Sequence, residues 1–341
     1  MANAPLIPVI DLAGWRAGDA AAHSETAAAL DAACRETGFF TVTGHGVDPA
    51  LAAATRKAAV DFFALPEDEK RKVQRPPQKI SRGWNPLGDR SLSYSLGKAA
   101  PADAQEAFAV GPEAPAGGWR ADDPRSAMAA PNLWPARPEG FRTQMLAWWA
   151  AMDELGALLL EVMASALGLP EGWFADKHDR AGNVMRLIRY PAQIEPPAPG
   201  QLRAGEHTDY GSVTVVSGDA VPGGLQVRHR RAGWIDVAPP PGGFVCNIAD
   251  AMARWTNDRW VSTLHRVGNP PPGTAHGDRI SLVFFYSPNA DATIECLPGC
   301  AGADGPKYPP IAFADHYLGK VMKAGHARGD AGIADAAADG G

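Results

Sequence analysis

The sequence predicts an α+β protein with a mainly β core: a double-stranded β-helix, or jelly roll, buttressed by N-terminal and central helices. Three observations carry that expectation. Helical periodicity dominates up to residue 169, short β-branched and aromatic runs take over after residue 183, and Gly and Pro cluster between those runs, as in Pro239-Pro240-Pro241-Gly242-Gly243 and Pro270-Pro271-Pro272-Gly273. Helices first and many short strands later place the helices on one side of a sheet core rather than between its strands.

Taken in order, residues 24–37 read as a helix capped by Ser24, Ala-rich inside and ended by Gly38. Phe39-Phe40-Thr41-Val42 reads as a buried strand, and a second helix runs from Pro49 to about Ala64 with Val60 and Phe63 facing inward, stopped by Leu65-Pro66. From Phe141 to Leu169 the residues Met145, Trp148, Met152, Leu155, Leu159, Val162 and Ala166 recur at three- and four-residue intervals, which marks one long amphipathic helix packed on a sheet. Strands follow at Met185–Tyr190, His207–Ser217, Leu225–Arg228, Trp234–Val237, Phe244–Ile248, Leu264–Gly268 and Ile280–Tyr286. The whole is expected to form one domain over residues 1–323, with an N-terminal helical and strand region at 7–135, a spine helix at 141–169 and a jelly-roll core at 183–290. The tail at 324–341, rich in Ala, Gly and Asp, is expected to be mobile.

Bulk properties exclude several function classes. A net charge of −6 from 32 basic and 38 acidic residues, with no long basic stripe, argues against nucleic acid as a partner. The densest basic cluster, Arg228-His229-Arg230-Arg231, has no aromatic platform and reads as a solvated hairpin turn. No apolar run approaches the ~20 residues needed to cross a bilayer, and the start has no basic stretch leading into an apolar one, so a cytoplasmic protein without a membrane partner is expected. Cys34, Cys246, Cys296 and Cys300 are too few for a disulfide scaffold and are read as reduced thiols.

The decisive motif is His207-Thr208-Asp209 with His265 further along. Two imidazoles and one carboxylate form a facial set that leaves three positions of an octahedral iron(II) open, which points to oxidative chemistry. Residues two apart on a strand share a face, so one strand is expected to aim His207 and Asp209 at a single ion while Thr208 points away. Arg279 and Ser281 are also two apart and can offer a guanidinium fork and a hydroxyl to one carboxylate.

At these residues the chain resembles the iron(II)- and 2-oxoglutarate-dependent oxygenases of the isopenicillin N synthase-like superfamily. The resemblance rests on His207-Thr208-Asp209, Asn247-Ile248-Ala249-Asp250, Trp255-Thr256-Asn257, Leu264-His265-Arg266-Val267 and Arg279-Ile280-Ser281. In the N-terminal half it rests on Ile7-Pro8-Val9-Ile10-Asp11-Leu12, Gly44-His45-Gly46-Val47, Glu106-Ala107-Phe108 and Pro131-Asn132-Leu133-Trp134-Pro135, so that it spans roughly residues 7 to 320. It implies His207, Asp209 and His265 as catalytic iron(II) ligands, 2-oxoglutarate as co-substrate held by Arg279, Ser281 and Tyr190, and dioxygen as oxidant. The implied reaction couples decarboxylation of 2-oxoglutarate to hydroxylation, desaturation or cyclisation of a small organic molecule. Ile188 departs from the pattern, standing where many members have Asn, and Ala249 replaces a usual Gly.

Other readings stand beside this one. An oxidase like isopenicillin N synthase would use iron and dioxygen without 2-oxoglutarate; Ile188 fits that branch, whereas Thr208, Gly211 and the lack of any glutamine after Gln226 do not. A binding module that kept the fold would be expected to have lost a ligand, and a zinc hydrolase would need a general-base Glu beside the ligands. Tyr190 is alternatively a buried tyrosine bonded to backbone. For the substrate, the family layout implies a pocket drawing on Arg82, Trp84, Tyr94, Ile188, Phe284 and Tyr286, with the C-terminal helical region as a lid. Arg82 is either the partner of a substrate carboxylate, which would favour an amino acid or carboxylated natural product, or a solvated loop residue.

Overall fold

The computed structural model describes residues 6–76, 81–89, 91–98, 100–113, 123–274 and 276–325. In chain order the first half holds β1 (Val9–Asp11), α1 (Ala13–Arg16), α2 (Ala20–Glu36), β2 (Phe39–Thr43), α3 (Pro49–Phe63), α4 (Glu67–Arg71), β3 (Gly83–Asn85), β4 (Glu106–Val110) and α5 (Phe141–Ala166). The second half holds β5 (Val184–Tyr190), β6 (Ala204–His207), β7 (Val213–Gly218), β8 (Leu225–His229), β9 (Gly233–Val237), β10 (Phe244–Ile248), α6 (Asp250–Trp255), β11 (His265–Val267), β12 (Arg279–Tyr286), β13 (Thr293–Ile294), β14 (Ile311–Ala312) and α7 (Phe313–Gly325). The tail expected to be mobile lies, from residue 326 on, outside the described residues. Among those residues, no helix is long and apolar enough to cross a membrane.

Two sheets form the jelly roll. The larger has the order β1-β2-β10-β7-β12-β5-β4-β3 and the smaller β6-β11-β8-β9. The outer face of the large sheet rests on α2, α3 and α5, and the largest buried apolar cluster lies there, including Phe62, Phe108, Phe141, Trp148 and Phe284. Its inner face looks toward the small sheet.

Local chemistry moved several predicted boundaries. Helix α2 begins at Ala20 rather than near Ser24, because Asp19 caps it by accepting from the amides of Ala21 and Ala22 at 2.9 and 3.3 Å. Gly38 ends that region at φ 66, and a Cβ there would lie 1.9 Å from the Val261 carbonyl oxygen, so the position needs glycine on both counts. In α3 the buried face is Thr55, Ala59, Phe62 and Phe63, which leaves Val60 39% exposed instead of inward, one residue out of phase. The spine helix α5 buries Met145, Trp148, Met152, Leu155, Leu159 and Val162. It ends at Ala166, with Gly168 left-handed at φ 67.

The predicted strand His207–Ser217 is two strands. β6 stops at His207 and β7 starts at Val213, because the intervening turn hands its carbonyls to the start of α6: Asp209, Gly211 and Ser212 accept from the amides of Asp250, Ala251 and Ala249 at 2.9, 3.1 and 3.1 Å. The basic cluster at 228–231 falls at the β8–β9 hairpin, where His229 is buried and Arg230 and Arg231 both engage Glu36.

Close packing of α5 on β12 occurs at Gly156, where a Cβ would lie 2.3 Å from the Tyr286 ring. Alanine there gains about 1 kcal/mol of helix propensity but forces an overpacking cost of about 1–3 kcal/mol. Gly156→Ala is therefore expected to lower stability in urea denaturation; a more stable variant would contradict the packing.

Candidate active site

The inner face of the large sheet is a set of cross-strand rows. Asn247, Thr214, Phe285 and Val184 make the first; Val245, Val216, Val283, Arg186 and Ala109 the second; Gly218, Ser281, Ile188 and Ala107 the third; Arg279 and Tyr190 the fourth. Over these rows, and under β6, β8 and β11, lies a cavity of about 230 Å³. Its wall includes Ser91, Gln105, Ile188, His207, Asp209, His265, Arg279 and Ser281, with Tyr317 and Val321 of α7 closing one side.

His207 and His265 are direct cross-strand partners on β6 and β11, with ring centroids 4.2 Å apart. The Nδ1–H of His207 donates to Gly205 O at 2.7 Å and that of His265 to Thr263 O at 3.1 Å. Each backbone bond fixes the tautomer and leaves the Nε2 lone pair facing the cavity. Asp209 comes from the turn after β6, so its approach to His207 is made by that turn and not by strand alternation. Its Oδ1 lies 3.9 Å from His207 Nε2 and 3.7 Å from His265 Nε2, and the three donor atoms all fall within 4.8 Å of one another. Cis ligands at metal bond lengths near 2.1 Å sit about 3 Å apart, so small side-chain rotations bring this set onto one ion.

Two further residues hold the carboxylate. Thr214 Oγ1 and Asn247 Nδ2 donate to Asp209 Oδ2 at 2.7 and 2.8 Å, which keeps Oδ1 for the ion. Burial pushes the Asp209 carboxyl up, yet His265, His207 and these two donors together hold it below the usual carboxylate range. The turn is itself pinned. Thr208 Oγ1 donates to Asp250 Oδ2 at 3.1 Å, Asp250 pairs with Lys320 of α7 at 2.7 Å, and Ser212 Oγ donates to His178 Nε2 at 2.9 Å. The Nδ1–H of His178 donates to the Phe174 carbonyl at 2.9 Å, and burial pushes its pKa down to about 4 against that bond, so the imidazole is neutral at neutral pH.

Arg279 and Ser281 do share a face of β12 and are 4% exposed each. Arg279 Nη1 donates to the Asp219 carbonyl, its Nε has no partner, and no carboxylate pairs with it among the described residues. Gly218 keeps the space beside it open, since a Cβ there would lie 2.9 Å from Arg279 Nη2 and 3.3 Å from Ser281 Oγ. Tyr190 is the register partner of Arg279 and lines the same end of the cavity.

The substrate-side expectations fare differently. Ile188 lines the cavity. Arg82 does not: its guanidinium is spent on the carbonyls of Ala130, Ser81 and Met128 at 3.1, 2.8 and 3.1 Å, so it is neither a solvated loop residue nor available to a substrate. Trp84 is buried away from the cavity, its Nε1 donating to Glu106 at 2.8 Å, and Tyr94 also stands off the wall, where Ser91 and Leu92 are found instead. Phe284 and Tyr286 face the helices; strand alternation puts Val283 and Phe285 on the cavity side with Arg279 and Ser281. Nothing local in the sequence marks Thr214 or Arg186 as site residues, or gives Asn247 its role at Asp209. The parity of Arg279 and Ser281 already contained the signal for Phe285.

Comparison with known proteins agrees with this geometry. Residues 7–137 match the family described as non-haem dioxygenase in morphine synthesis N-terminal, and residues 181–288 match the 2OG-Fe(II) oxygenase superfamily. A homoarginine-6-hydroxylase of Oryza sativa subsp. japonica is 34% identical over 300 residues, covering 86% of this chain and 87% of its own. Validamycin A dioxygenase of Streptomyces hygroscopicus subsp. limoneus is 34% identical over 306 residues, covering 88% and 81%. A solved Neurospora crassa structure, in complex with alpha-KG and thymine, superposes with a TM-score of 0.80 at 31% identity, covering 93% of this chain and 96% of that one. The chain belongs to the iron(II)/2-oxoglutarate-dependent oxygenases of the isopenicillin N synthase-like superfamily. It is an oxidoreductase that uses iron(II), 2-oxoglutarate and dioxygen to oxidise a small molecule, which sets aside the oxidase, zinc-hydrolase and binding-module readings.

Two outcomes follow for the shell around Asp209. Asn247→Ala is expected to weaken iron(II) binding about 10- to 100-fold, measured by anaerobic equilibrium dialysis. Because His178 binds its proton only near pH 4 when folded and near 6.5 when unfolded, its contribution to stability is intact above pH 6.5. That contribution declines as pH falls toward 4, by about 1.4 kcal/mol per pH unit. Urea denaturation between pH 6.5 and 5 should show a shallower decline in His178→Gln; parallel curves would contradict a neutral buried His178.

Proposed function

We propose that His207, Asp209 and His265 hold the iron(II) and that Arg279, Ser281 and Tyr190 hold the distal carboxylate of 2-oxoglutarate, in an enzyme whose default outcome is hydroxylation. One observation carries the second assignment: Arg279 is a buried guanidinium with no carboxylate partner among the described residues, beside a glycine that keeps its fork accessible. Burial works against its charge more than Tyr190 and Asp219 support it, so an incoming carboxylate relieves a cost already present. Arg56, paired bidentately with the Asp219 side chain at 2.6 and 2.7 Å, fixes the carbonyl that orients Arg279.

Bound iron(II) would supply activation of dioxygen, with 2-oxoglutarate as the source of the remaining electrons. The chain's residues supply geometry. The fourth row anchors one end of the keto acid, the first row anchors Asp209, and the long Arg279 side chain and the imidazoles of the opposite sheet reach from either end into the cavity over the rows between. The apolar side chains Val216, Val283 and Phe285 border this path and limit stray water.

The substrate is read as a small molecule of the amino-acid or carboxylated natural-product class, supported by the size and cationic lining of the cavity. Burial of Ile10 through Phe313 in one apolar cluster supports reading residues 1–323 as a single oxygenase domain. The four free cysteines support a cytoplasmic location. Arg279→Lys keeps the charge but loses the fork. It is expected to raise the KM for 2-oxoglutarate on the order of 10- to 100-fold in a succinate-release assay. An unchanged KM would overturn the assignment.

A further inference from the structure

Buried and half-buried arginines in this protein are accounted for in different ways. Arg82 and Arg203 are capped by backbone carbonyls, and Arg189, on the outer side of β5, pairs with Glu106 and Asp278 at 2.6 Å each. Arg186, on the cavity side of the same strand, has neither. It is 5% exposed, lines the cavity, and has an orphaned Nε; its side chain makes no hydrogen bond or ion pair among the described residues. Its register neighbours, Val283 and Ala109, offer no countercharge. A buried guanidinium left this way is costly and is retained where a ligand completes it.

Two more orphans share its wall. Ser91 Oγ and Gln105 Oε1 are buried, line the cavity and have no partner among the described residues. A free amide oxygen accepts only, so it calls for an N–H or O–H on the ligand, while the hydroxyl serves either role. The position suits a substrate. Arg186 stands in the second row, two strands or roughly 10 Å from Val216, and therefore lies beside the path between Arg279 and Asp209 without blocking it.

We propose that Arg186 is the substrate anchor, its guanidinium gripping the carboxylate of a small amino or hydroxy acid while Gln105 and Ser91 receive that substrate's N–H or O–H. This rests on the 2-oxoglutarate reading of Arg279, which leaves Arg186 for the second ligand. Bidentate pairing with a carboxylate is what the fork offers and what an uncharged carbonyl satisfies only in part.

The test titrates a panel of small amino and hydroxy acids, each paired with its uncharged carboxamide, into full-length enzyme loaded anaerobically with iron(II) and 2-oxoglutarate. L-proline with L-prolinamide and mandelate with mandelamide are two such pairs. Binding is expected for carboxylate members alone. Arg186→Met should weaken the tightest of them about 30-fold or more, Arg186→Lys should recover part of the loss, and 2-oxoglutarate affinity should stay within about twofold in both. Ligand-free Arg186→Met should also unfold at a higher temperature than the parent, because an unpaired buried charge is gone, whereas a merely structural arginine would give a lower one. Carboxamides binding as well as their acids, no binder in the panel, a lowered unfolding temperature, or a loss confined to 2-oxoglutarate would overturn the proposal. Failure of the parent enzyme to bind 2-oxoglutarate would instead overturn the reading of Arg279.

Discussion

A carboxylate buried between two neutral imidazoles is the constraint on which the rest of this structure turns. Asp209 is 4% exposed; Thr214 and Asn247 donate to its Oδ2, while its Oδ1 faces the Nε2 atoms of His207 and His265. Both imidazoles have given their Nδ1 protons to backbone carbonyls, so only acceptor atoms converge on the central point. Such a set is self-repelling until a cation joins it. The surrounding architecture holds those acceptors in place: a cross-strand pair fixes the two histidines, and a turn locked to the start of α6 fixes the acid.

The jelly roll serves this chemistry by dividing its two faces. Helices α2, α3 and α5 bury the outer face of the large sheet, where Phe284 and Tyr286 pack, and so provide a rigid base. The inner face is then free to carry isolated polar groups in defined rows. Tight register matters there, since a slip of one residue on β12 would exchange Arg279, Ser281 and Phe285 for Ile280, Leu282 and Tyr286. Seven register pairs between β12 and β5 and six between β12 and β7 oppose such a slip.

Much of this was legible in the chain itself. The helix-then-strand order, the spine helix and the three ligands follow from periodicity and residue type, because apolar spacing and metal-donor chemistry are local properties. What was not legible depended on long-range partners. The His207–Ser217 run looks like one strand because its residues favour β structure; only the amides at 249–251 of the start of α6 explain why it breaks. The family layout offers Arg82 as a substrate ligand or a solvated loop residue, and sequence cannot show that the carbonyls of Ala130 and Met128, some fifty residues away, take up its guanidinium together with that of Ser81. Arg186 is the converse case: that its side chain has no hydrogen-bond or ion-pair partner among the described residues can be seen only in three dimensions. Phe284 and Tyr286 have the opposite parity to Arg279 and Ser281 on β12, so strand alternation alone places them on the helix side.

The most direct measurement is an anaerobic iron(II) titration of the full chain beside its Asp209→Ala variant, with bound metal counted by equilibrium dialysis. The account predicts one iron per chain for the parent and none at the same free concentration for the variant. Equal binding by the two proteins would contradict it.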